Sequence, residues 1–185
     1  MQKIPLHTIC TMRFGLNVKT QTTGEVVCLQ GKDFNEYGYL KSKFIFRINK
    51  ELANPKDFLK ENDILFAAKG YHHYAIVWNA QIENAVATST FIILTGFPRD
   101  ILPGYVAWYL NASQANIYFN MHKKNGSIPV ISKKILENLE IPVPDIHLQQ
   151  HIEALQQCVN KEKKLLQQMI TKKEQFIDAT IQSLF

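Results

Sequence analysis

Apolar residues in the last part of the chain recur with a helical period. From residue 147 onward they return at steps of three, four and seven, and the run contains neither glycine nor proline. All eight glycines and all seven prolines precede Asp145. This pattern predicts one uninterrupted helix from about residue 147 to about 184, ~55 Å long at a rise of about 1.5 Å per residue.

The apolar positions of this helix form a heptad-like stripe, interrupted by Glu162 and Lys173 at seam positions. The stripe consists of Ile152, Leu155, Val159, Leu166, Met169, Ile170, Phe176, Ile177 and Leu184. A helix of this length exceeds the width of the domain that precedes it. We therefore expect a second helix to cover the stripe.

Residues 1–145 follow a different pattern, in which short β-rich runs alternate with turn residues. The runs predict strands at 25–29, 44–48, 63–67, 74–78 and 87–94. A longer helix is expected from Pro103 to about Met121, and a short one over 133–139 after Ser132 as N-cap. Core positions are expected at Leu65, Ile76, Val77, Phe91, Ile93 and Trp108, and turns at Gly15, Gly31, Gly70 and Gly126.

The predicted fold class is α+β. A mixed globular domain over residues 1–145, with a twisted β-sheet and flanking helices, is followed over 146–185 by the long helix. Apolar residues make up 46% and charged residues 20% of the 185 positions, which suits one compact domain plus an extended element. The run of apolar residues is nowhere long enough to predict a signal peptide or a membrane span, so we expect a cytoplasmic protein without a membrane partner.

Charge changes this picture slightly. The formal net charge is +5, and residues 1–145 hold 16 of the 21 Lys and Arg and 12 of the 16 Asp and Glu. The excess therefore lies in the globular part, where it permits an acidic partner without requiring one. Cys10, Cys28 and Cys158 are too few and too scattered for a disulfide framework or a thiolate metal cage.

Two spacings resemble catalytic or metal-binding motifs, and neither fits its chemistry. Asp145 followed by Glu162 and Lys164 has the spacing of a metal-dependent nuclease, but a continuous helix would separate the carboxylates by ~25 Å. His147 and His151 stand at i and i+4 without a third ligand nearby. The glycines are widely separated, so no phosphate loop is indicated. We predict no catalytic residues, no metal site, and a chain that is not an enzyme by itself.

The order of short motifs along the chain carries more information than any one of them. The motifs are IPL at 4–6, RFG at 13–15, CLQGKD at 28–33, LKENDILF at 59–66, KG at 69–70, YAIV at 74–77, AVAT at 85–88, LPGYVAWYL at 102–110, GSIPVIS at 126–132, LEIPVP at 139–144 and QQHI at 149–152. In this order they resemble the DNA-specificity (S) subunit of type I restriction-modification systems, over essentially the whole chain.

The resemblance implies a target-recognition domain that reads half of a bipartite sequence in double-stranded DNA. It also implies that the long helix is a conserved-region helix, which packs antiparallel against another as a spacer and docks the modification subunit. The modification and restriction subunits would be the partners, and S-adenosylmethionine, ATP and Mg would be bound there and not in this chain. Family members carry two such halves, so this chain looks like a half-subunit and we expect a homodimer through the stripe.

Loops that interleave basic, aromatic and polar residues are the candidate DNA contacts. The predicted DNA-binding residues are Arg13, Lys19, Gln30, Lys32, Lys69, Tyr71, His72, His73, Tyr74, Lys123, Lys124 and Asn125. Two alternatives stay open. The chain could be a protein-interaction module or inactive remnant that binds no DNA and pairs through its helix with other specificity subunits, or an enzyme with an unrecognised site.

Overall fold

The computed structural model describes residues 3–34, 40, 46–80, 82–122 and 129–183. The strands are β1 (Lys3–Pro5), β2 (Thr11–Phe14), β3 (Val26–Leu29), β4 (Arg47–Ile48), β5 (Ile64–Ala67), β6 (Ala75–Val77), β7 (Ala85–Ala87), β8 (Phe91–Thr95) and β9 (Glu140–Pro142). The helices are α1 (Pro103–Asn111), α2 (Ser113–His122), α3 (Lys133–Glu137) and α4 (Ile146–Gln182). The predicted α+β class, with a long C-terminal helix, is confirmed.

A four-stranded antiparallel sheet in the order β2-β8-β5-β6 lies between a layer of helices on one face and a second sheet on the other. Ile64 and Phe66 of β5 pack in the same cluster as the helices, while Leu65 packs with residues of β3 and β7. Successive side chains of a strand point to opposite faces of its sheet. Because both faces are covered, β5 and β8 are continuous apolar runs in which the alternation of a half-buried strand is absent.

The second layer is a three-stranded sheet in the order β4-β3-β7, in which β3 and β7 run parallel. A further pair, β1 with β9, ties the start of the described chain to the segment just before α4. This pairing places Ile4 opposite Ile141. The N-terminal and C-terminal parts of the globular region therefore meet where the long helix begins.

The run predicted as one strand over 87–94 is two strands, because a turn at 88–90 interrupts it. The Phe91 N–H donates to the Thr88 carbonyl at 3.0 Å, and the Thr88 and Thr90 hydroxyl oxygens lie 2.8 Å apart. The chain thereby leaves the three-stranded sheet and enters the four-stranded one. The residues do form strands, but a uniformly apolar run does not show where the chain passes from one sheet to the other.

The helix predicted from Pro103 to about Met121 is also two elements, broken at Ala112, whose backbone is extended with ψ of 158°. Asn111 explains the break: its side-chain oxygen accepts from the Ala75 N–H at 2.8 Å, and its amide donates to the Ala75 carbonyl at 2.9 Å. Asn111 thus completes the backbone hydrogen bonding of edge strand β6. This tertiary contact competes with the continuation of the helix.

The remaining boundaries differ by a few residues. Ser132 caps α3 as predicted, accepting from the Ile135 N–H at 3.3 Å, but α3 ends at Glu137. Strands β1, β2 and β9 were not predicted, and the 44–48 run survives as β4, with 41–45 outside the described residues. Leu65, Phe91 and Ile93 are fully buried as predicted, whereas Ile76, Val77 and Trp108 are half-buried.

Among the predicted turn glycines, Gly70 has a positive φ of 128°, which favours glycine. Gly15 has another reason to be glycine, because an added Cβ would collide with the carbonyl oxygens of Ala87 and Thr88. Gly31 opens a short 3-10 turn, and Gly126 lies outside the described residues. In the part of the chain described, no helix is long and apolar enough to cross a membrane.

Candidate nucleic-acid interface and exposed helix face

Loops from both sheets converge on the turn at 88–90. The Thr88 N–H donates to the Leu29 carbonyl at 2.9 Å, the Ser89 N–H to Leu16 at 2.8 Å, and the Ala68 N–H to Thr90 at 2.9 Å. These bonds bring together the carboxyl ends of β2, β3, β5 and β7. We call this surface the loop edge and define it as residues 15–20, 30–33, 68–74 and 88–90.

Eight of the predicted DNA-binding residues lie at the loop edge: Lys19, Gln30, Lys32, Lys69, Tyr71, His72, His73 and Tyr74. Lys19, Lys32, Lys69 and His72 are exposed, and Tyr71 is 76% exposed. Strand pairing, which joins segments far apart in the sequence, brings these residues onto one surface.

Contacts at the loop edge hold these side chains close to their neighbours. The Gln30 amide donates to the Thr20 hydroxyl at 2.5 Å, which joins the turn after β3 to the loop after β2. The Lys69 ammonium donates to the Ser89 hydroxyl at 3.4 Å. Thr20 and Ser89 are polar groups of this surface that sequence reasoning missed, since only contacts between segments far apart in the sequence reveal their position.

The Lys32 ammonium lies 3.9 Å from the centre of the Phe46 ring, within the range of a cation–π contact. Beside it, Asp33 is buried, and its carboxylate accepts from the Gln30 N–H at 2.7 Å. The exposed charges named on this surface are therefore lysines, while the nearby acid is turned inward. Such a surface suits the phosphates of a nucleic acid.

Three of the predicted contacts, Arg13, His73 and Tyr74, use their side chains inside the domain. Arg13 lies 3.9 Å from Asp63 and donates to the Phe58 carbonyl at 3.1 Å, which directs it away from the loop edge. His73 stacks on a buried ring, Phe66, at 6.2 Å between centroids. Their role in DNA contact stays a prediction.

Tyr74 connects two loops of this surface. Its hydroxyl donates to the Gly31 carbonyl at 2.8 Å, and its ring meets Phe91 edge-on at 6.4 Å. Burial, and secondly the charge of Asp33, raise the pKa of Tyr74 to about 12. The hydroxyl therefore stays protonated and able to donate at neutral pH. Lys123, Lys124 and Asn125, also predicted to bind DNA, lie outside the described residues.

The long helix is fixed to the globular part by one buried amide. Gln149 is fully buried; its oxygen accepts from the Leu102 N–H, and its nitrogen donates to the carbonyls of Asp100 and Pro144, each at 2.9 Å. Asp145 caps the helix by accepting from the Leu148 N–H at 3.0 Å. The Gln149 amide thus uses both of its N–H donors and one of the two lone pairs of its oxygen.

Helix α1 adds two close approaches to this junction. The Tyr105 hydroxyl donates to the Pro142 carbonyl at 2.6 Å, and burial is the main cause that raises its pKa to about 12. Gly104 faces the Glu153 side chain so closely that an added Cβ would collide with it. The first two turns of α4 therefore belong to the packed domain.

Beyond these turns, α4 leaves the domain, and every described residue from 161 to 183 is exposed. Ile152 still packs against the core, whereas Leu155 is 67% and Phe176 is 73% exposed. The other predicted stripe residues within the described chain are also exposed: Val159, Leu166, Met169, Ile170 and Ile177. Leu184 lies outside the described residues, and Leu165 and Ile181 extend the stripe beyond the prediction. The chain alone leaves this apolar face in water.

Metal and thiol chemistry find little support here. The described residues contain no group of three His, Cys, Asp or Glu that could hold a metal ion. Burial raises the pKa of Cys10 to about 12 and that of Cys28 to about 11. Both therefore remain thiols at neutral pH, whereas nucleophilic cysteines need a lowered pKa.

Comparison with known proteins is informative at the level of structure. No protein-family model matches the chain, and no curated protein matches it. Solved type I restriction-modification structures do match. The HsdS subunit of Thermoanaerobacter tengcongensis superposes with a TM-score of 0.60 at 16% identity, over 91% of this chain and 39% of that one.

Two further structures agree. The type I S subunit of M. genitalium gives a TM-score of 0.59 at 15% identity, over 92% of this chain and 41% of that one. A chain from a study of complex assembly and conformational transition of the type I system gives 0.60 at 16% identity, over 94% and 41%. The chain thus has the fold of a type I S subunit, and it spans about two fifths of the length of these relatives. The resemblance read from the sequence motifs is confirmed at the level of the fold.

Proposed function

We propose that this chain is a DNA-recognition subunit of a type I restriction-modification system and reads one half of a bipartite target. The observation that carries the proposal is the S-subunit fold over more than nine tenths of the chain. The ordered motifs from residue 4 to residue 152 support it independently, because they come from the sequence alone.

The loop edge is the part of the domain that would contact DNA. Its lysines would bind phosphates, which supplies affinity without sequence information. Gln30 and His72 carry donors and acceptors that can read base edges in the major groove. Tyr74 has a different role in this proposal, since its hydroxyl is bonded to Gly31 and holds the turn at 30–33 in place.

The chemistry of the system would lie in other subunits. We expect a modification subunit that binds S-adenosylmethionine and a restriction subunit that uses ATP and Mg, all in the cytoplasm. This chain would be the non-catalytic member that directs both to the target. One of the matching structures comes from work on assembly of the type I system, which is consistent with such partners. The domain boundary is proposed at residues 145 and 146, with recognition before it and spacing and docking after it.

DNA binding tests the proposal through its salt dependence. The chain with its modification subunit, titrated with duplex DNA at several salt concentrations, should bind with a log–log slope of about −0.9 per phosphate contacted. Lys69→Gln should reduce that slope by about one. Lys60 provides the control, because it is exposed just before β5, at the end of the sheet away from the loop edge.

Lys60→Gln should therefore leave the slope unchanged. Absence of binding to any DNA, or an equal effect of both substitutions, would contradict the proposal. The exposed face of α4 favours one other function, that of a module which pairs with other specificity subunits and binds no DNA. In that case the helix pairs normally and the titration shows no DNA binding at any salt concentration.

A further inference from the structure

One side-chain amide at the loop edge joins two loops and is held in one orientation. The Gln30 Nε2 donates to the Thr20 hydroxyl at 2.5 Å, and both residues are half-buried. The Gln30 side chain also forms a capping box with Asp33, in which it faces the Asp33 N–H. Because a backbone N–H can only donate, the amide oxygen lies on that side and the amide nitrogen lies toward Thr20.

The backbone on both sides of this contact is fixed as well. The Gln30 N–H donates to the Asp33 carboxylate at 2.7 Å, which closes the turn at 30–33. Thr20 directly precedes Gln21, whose N–H and carbonyl both bond to the backbone of Arg47 at 2.9 Å. The amide is therefore positioned by the folded chain before any ligand arrives, and a ligand does not have to supply the free energy of ordering it.

We propose that Gln30 is a specificity-determining residue that reads an adenine in the major groove, and that Thr20 is the positioning residue that orients its amide. This requires the loop edge to contact DNA and therefore rests on the proposed function. It adds to that function the identity of one base in each half of the target and the pair of residues that selects it.

The hydrogen-bonding groups that Gln30 keeps match the edge of adenine. An amide has two N–H donors and an oxygen with two lone pairs. After its contacts with Thr20 and Asp33, Gln30 retains one N–H and at least one lone pair. Adenine offers one acceptor, N7, and one donor, the N6 amino group, in the major groove. Guanine offers two acceptors there, so the Gln30 oxygen would face one of them without a hydrogen bond.

The other side chains of the loop edge differ from Gln30 in chemistry or in fixation. Lys19, Lys32 and Lys69 only donate, so they cannot accept from the amino group of adenine. Asn17 is the one other side-chain amide within the loop edge, and it is exposed. Its terminal torsion is broad unless a partner restrains it, so it can turn over and exchange its donor and acceptor sides. Gln30 is the amide that a second loop holds in place.

Target selection with variant chains tests this assignment. The full chain with its modification subunit would retain duplexes from random DNA, and the enriched base at each position would be compared between variants. Gln30→Glu leaves only acceptors, so adenine should give way to cytosine, whose N4 amino group donates, at one position of each half-site. Thr20→Val frees the amide to turn over, so the preference for adenine over guanine at that position should fall at least about fivefold.

Two further variants separate positioning from a structural role. Thr20→Ser keeps the hydroxyl and should restore the preference for adenine. Thr22→Val is the matched control, because Thr22 is exposed two residues further along the chain, and it should leave every position unchanged. If Thr20 only stabilised the loop, Thr20→Val would lower the affinity for all targets equally and change the preference at no single position.

Nuclear magnetic resonance of the full chain without DNA tests the contact itself. Thr20→Val should shift the resonances of the Gln30 side-chain amide, whereas Thr20→Ser and Thr22→Val should leave them near their original positions. Unmoved resonances in Thr20→Val would overturn the positioning role of Thr20.

The outcomes distinguish this inference from the proposed function. If the unmodified chain enriches no sequence, the proposed function fails and Gln30 has no base to read. If it enriches a target whose adenines are all unaffected by both Gln30→Glu and Thr20→Val, the function stands and this inference alone is refuted. An adenine lost in both variants and restored in Thr20→Ser would support both.

Discussion

Gln149 offers the sharpest test of how the long helix is held on the domain. Gln149→Met keeps the length of the side chain but removes the three hydrogen bonds to Leu102, Asp100 and Pro144. Asp100 is exposed and its carbonyl can bond to water, whereas Pro144 is buried and Leu102 half-buried. Two polar groups therefore lose partners that water cannot readily replace. At about 1–3 kcal/mol for each, the free energy of unfolding should fall by about 2–6 kcal/mol.

Two measurements check this value. Denaturant unfolding gives the change in stability, and hydrogen exchange of the Leu102 amide should become at least about tenfold faster relative to global unfolding. Gln150→Met is the matched control, since Gln150 is the exposed neighbour on the same helix. If the Gln149 and Gln150 variants differ by less than about 0.5 kcal/mol, the amide does not fix α4 as described.

Three further predictions follow from the same geometry. Leu166→Asp puts a carboxylate into the exposed apolar stripe of α4, through which we expect two copies to pair, so light scattering should show monomers. An intact dimer would refute this. Tyr74 should make the stability of the chain sensitive to alkali. Its pKa in the folded chain is about 12, above the ordinary value of about 10. The contribution of its protonated hydroxyl to the free energy of unfolding is therefore complete below pH 10 and is lost as the pH rises through 12. The stability advantage over Tyr74→Phe should therefore shrink by about 1–2 kcal/mol between pH 10 and pH 12, and a constant difference would contradict the assignment. Duplication of residues 166–172 adds one heptad, about 10.5 Å, to the long helix. If paired helices set the spacer of the DNA target, that spacer should lengthen by about two to three base pairs, because each base pair adds about 3.4 Å. Selection of targets from random DNA would show an unchanged spacer if the helices do not set it.

Prediction from the sequence was most accurate where the residues of an element determine its structure without contacts from distant parts of the chain. The helix predicted from about 147 to 184 is observed as Ile146–Gln182, because the absence of glycine and proline and the regular stripe are local properties. The Ser132 cap and the buried Leu65 and Ile93 could be predicted for the same reason.

Errors arose where tertiary contacts decide the structure. Nothing near Asn111 in the sequence indicates that its side chain bonds to Ala75 and ends α1. The turn after β7 depends on Leu29, which Thr88 contacts across the sheet through backbone and hydroxyl. Short strands such as β1 and β9 are defined by each other and carry almost no periodic signal.

For the candidate site, too, the sequence predicted the chemistry of the residues but not their positions. Composition selected residues of the right chemistry, but only strand pairing shows that Gln30, Lys69 and His72 share one surface while Arg13 points elsewhere. Tyr74 illustrates the limit, because an aromatic side chain in a polar loop suggests stacking on a base. The structure instead places its hydroxyl on a backbone carbonyl.

The central claim, that this chain reads DNA as one half of a two-part recognition subunit, is tested most directly by target selection. The chain and its modification subunit would be mixed with random duplex DNA at moderate salt, and the retained fragments sequenced. The account predicts an inverted repeat, each half read by one recognition domain, separated by a spacer of fixed length and arbitrary sequence. Retention of DNA without any enriched sequence, or of a single uninterrupted site, would contradict it.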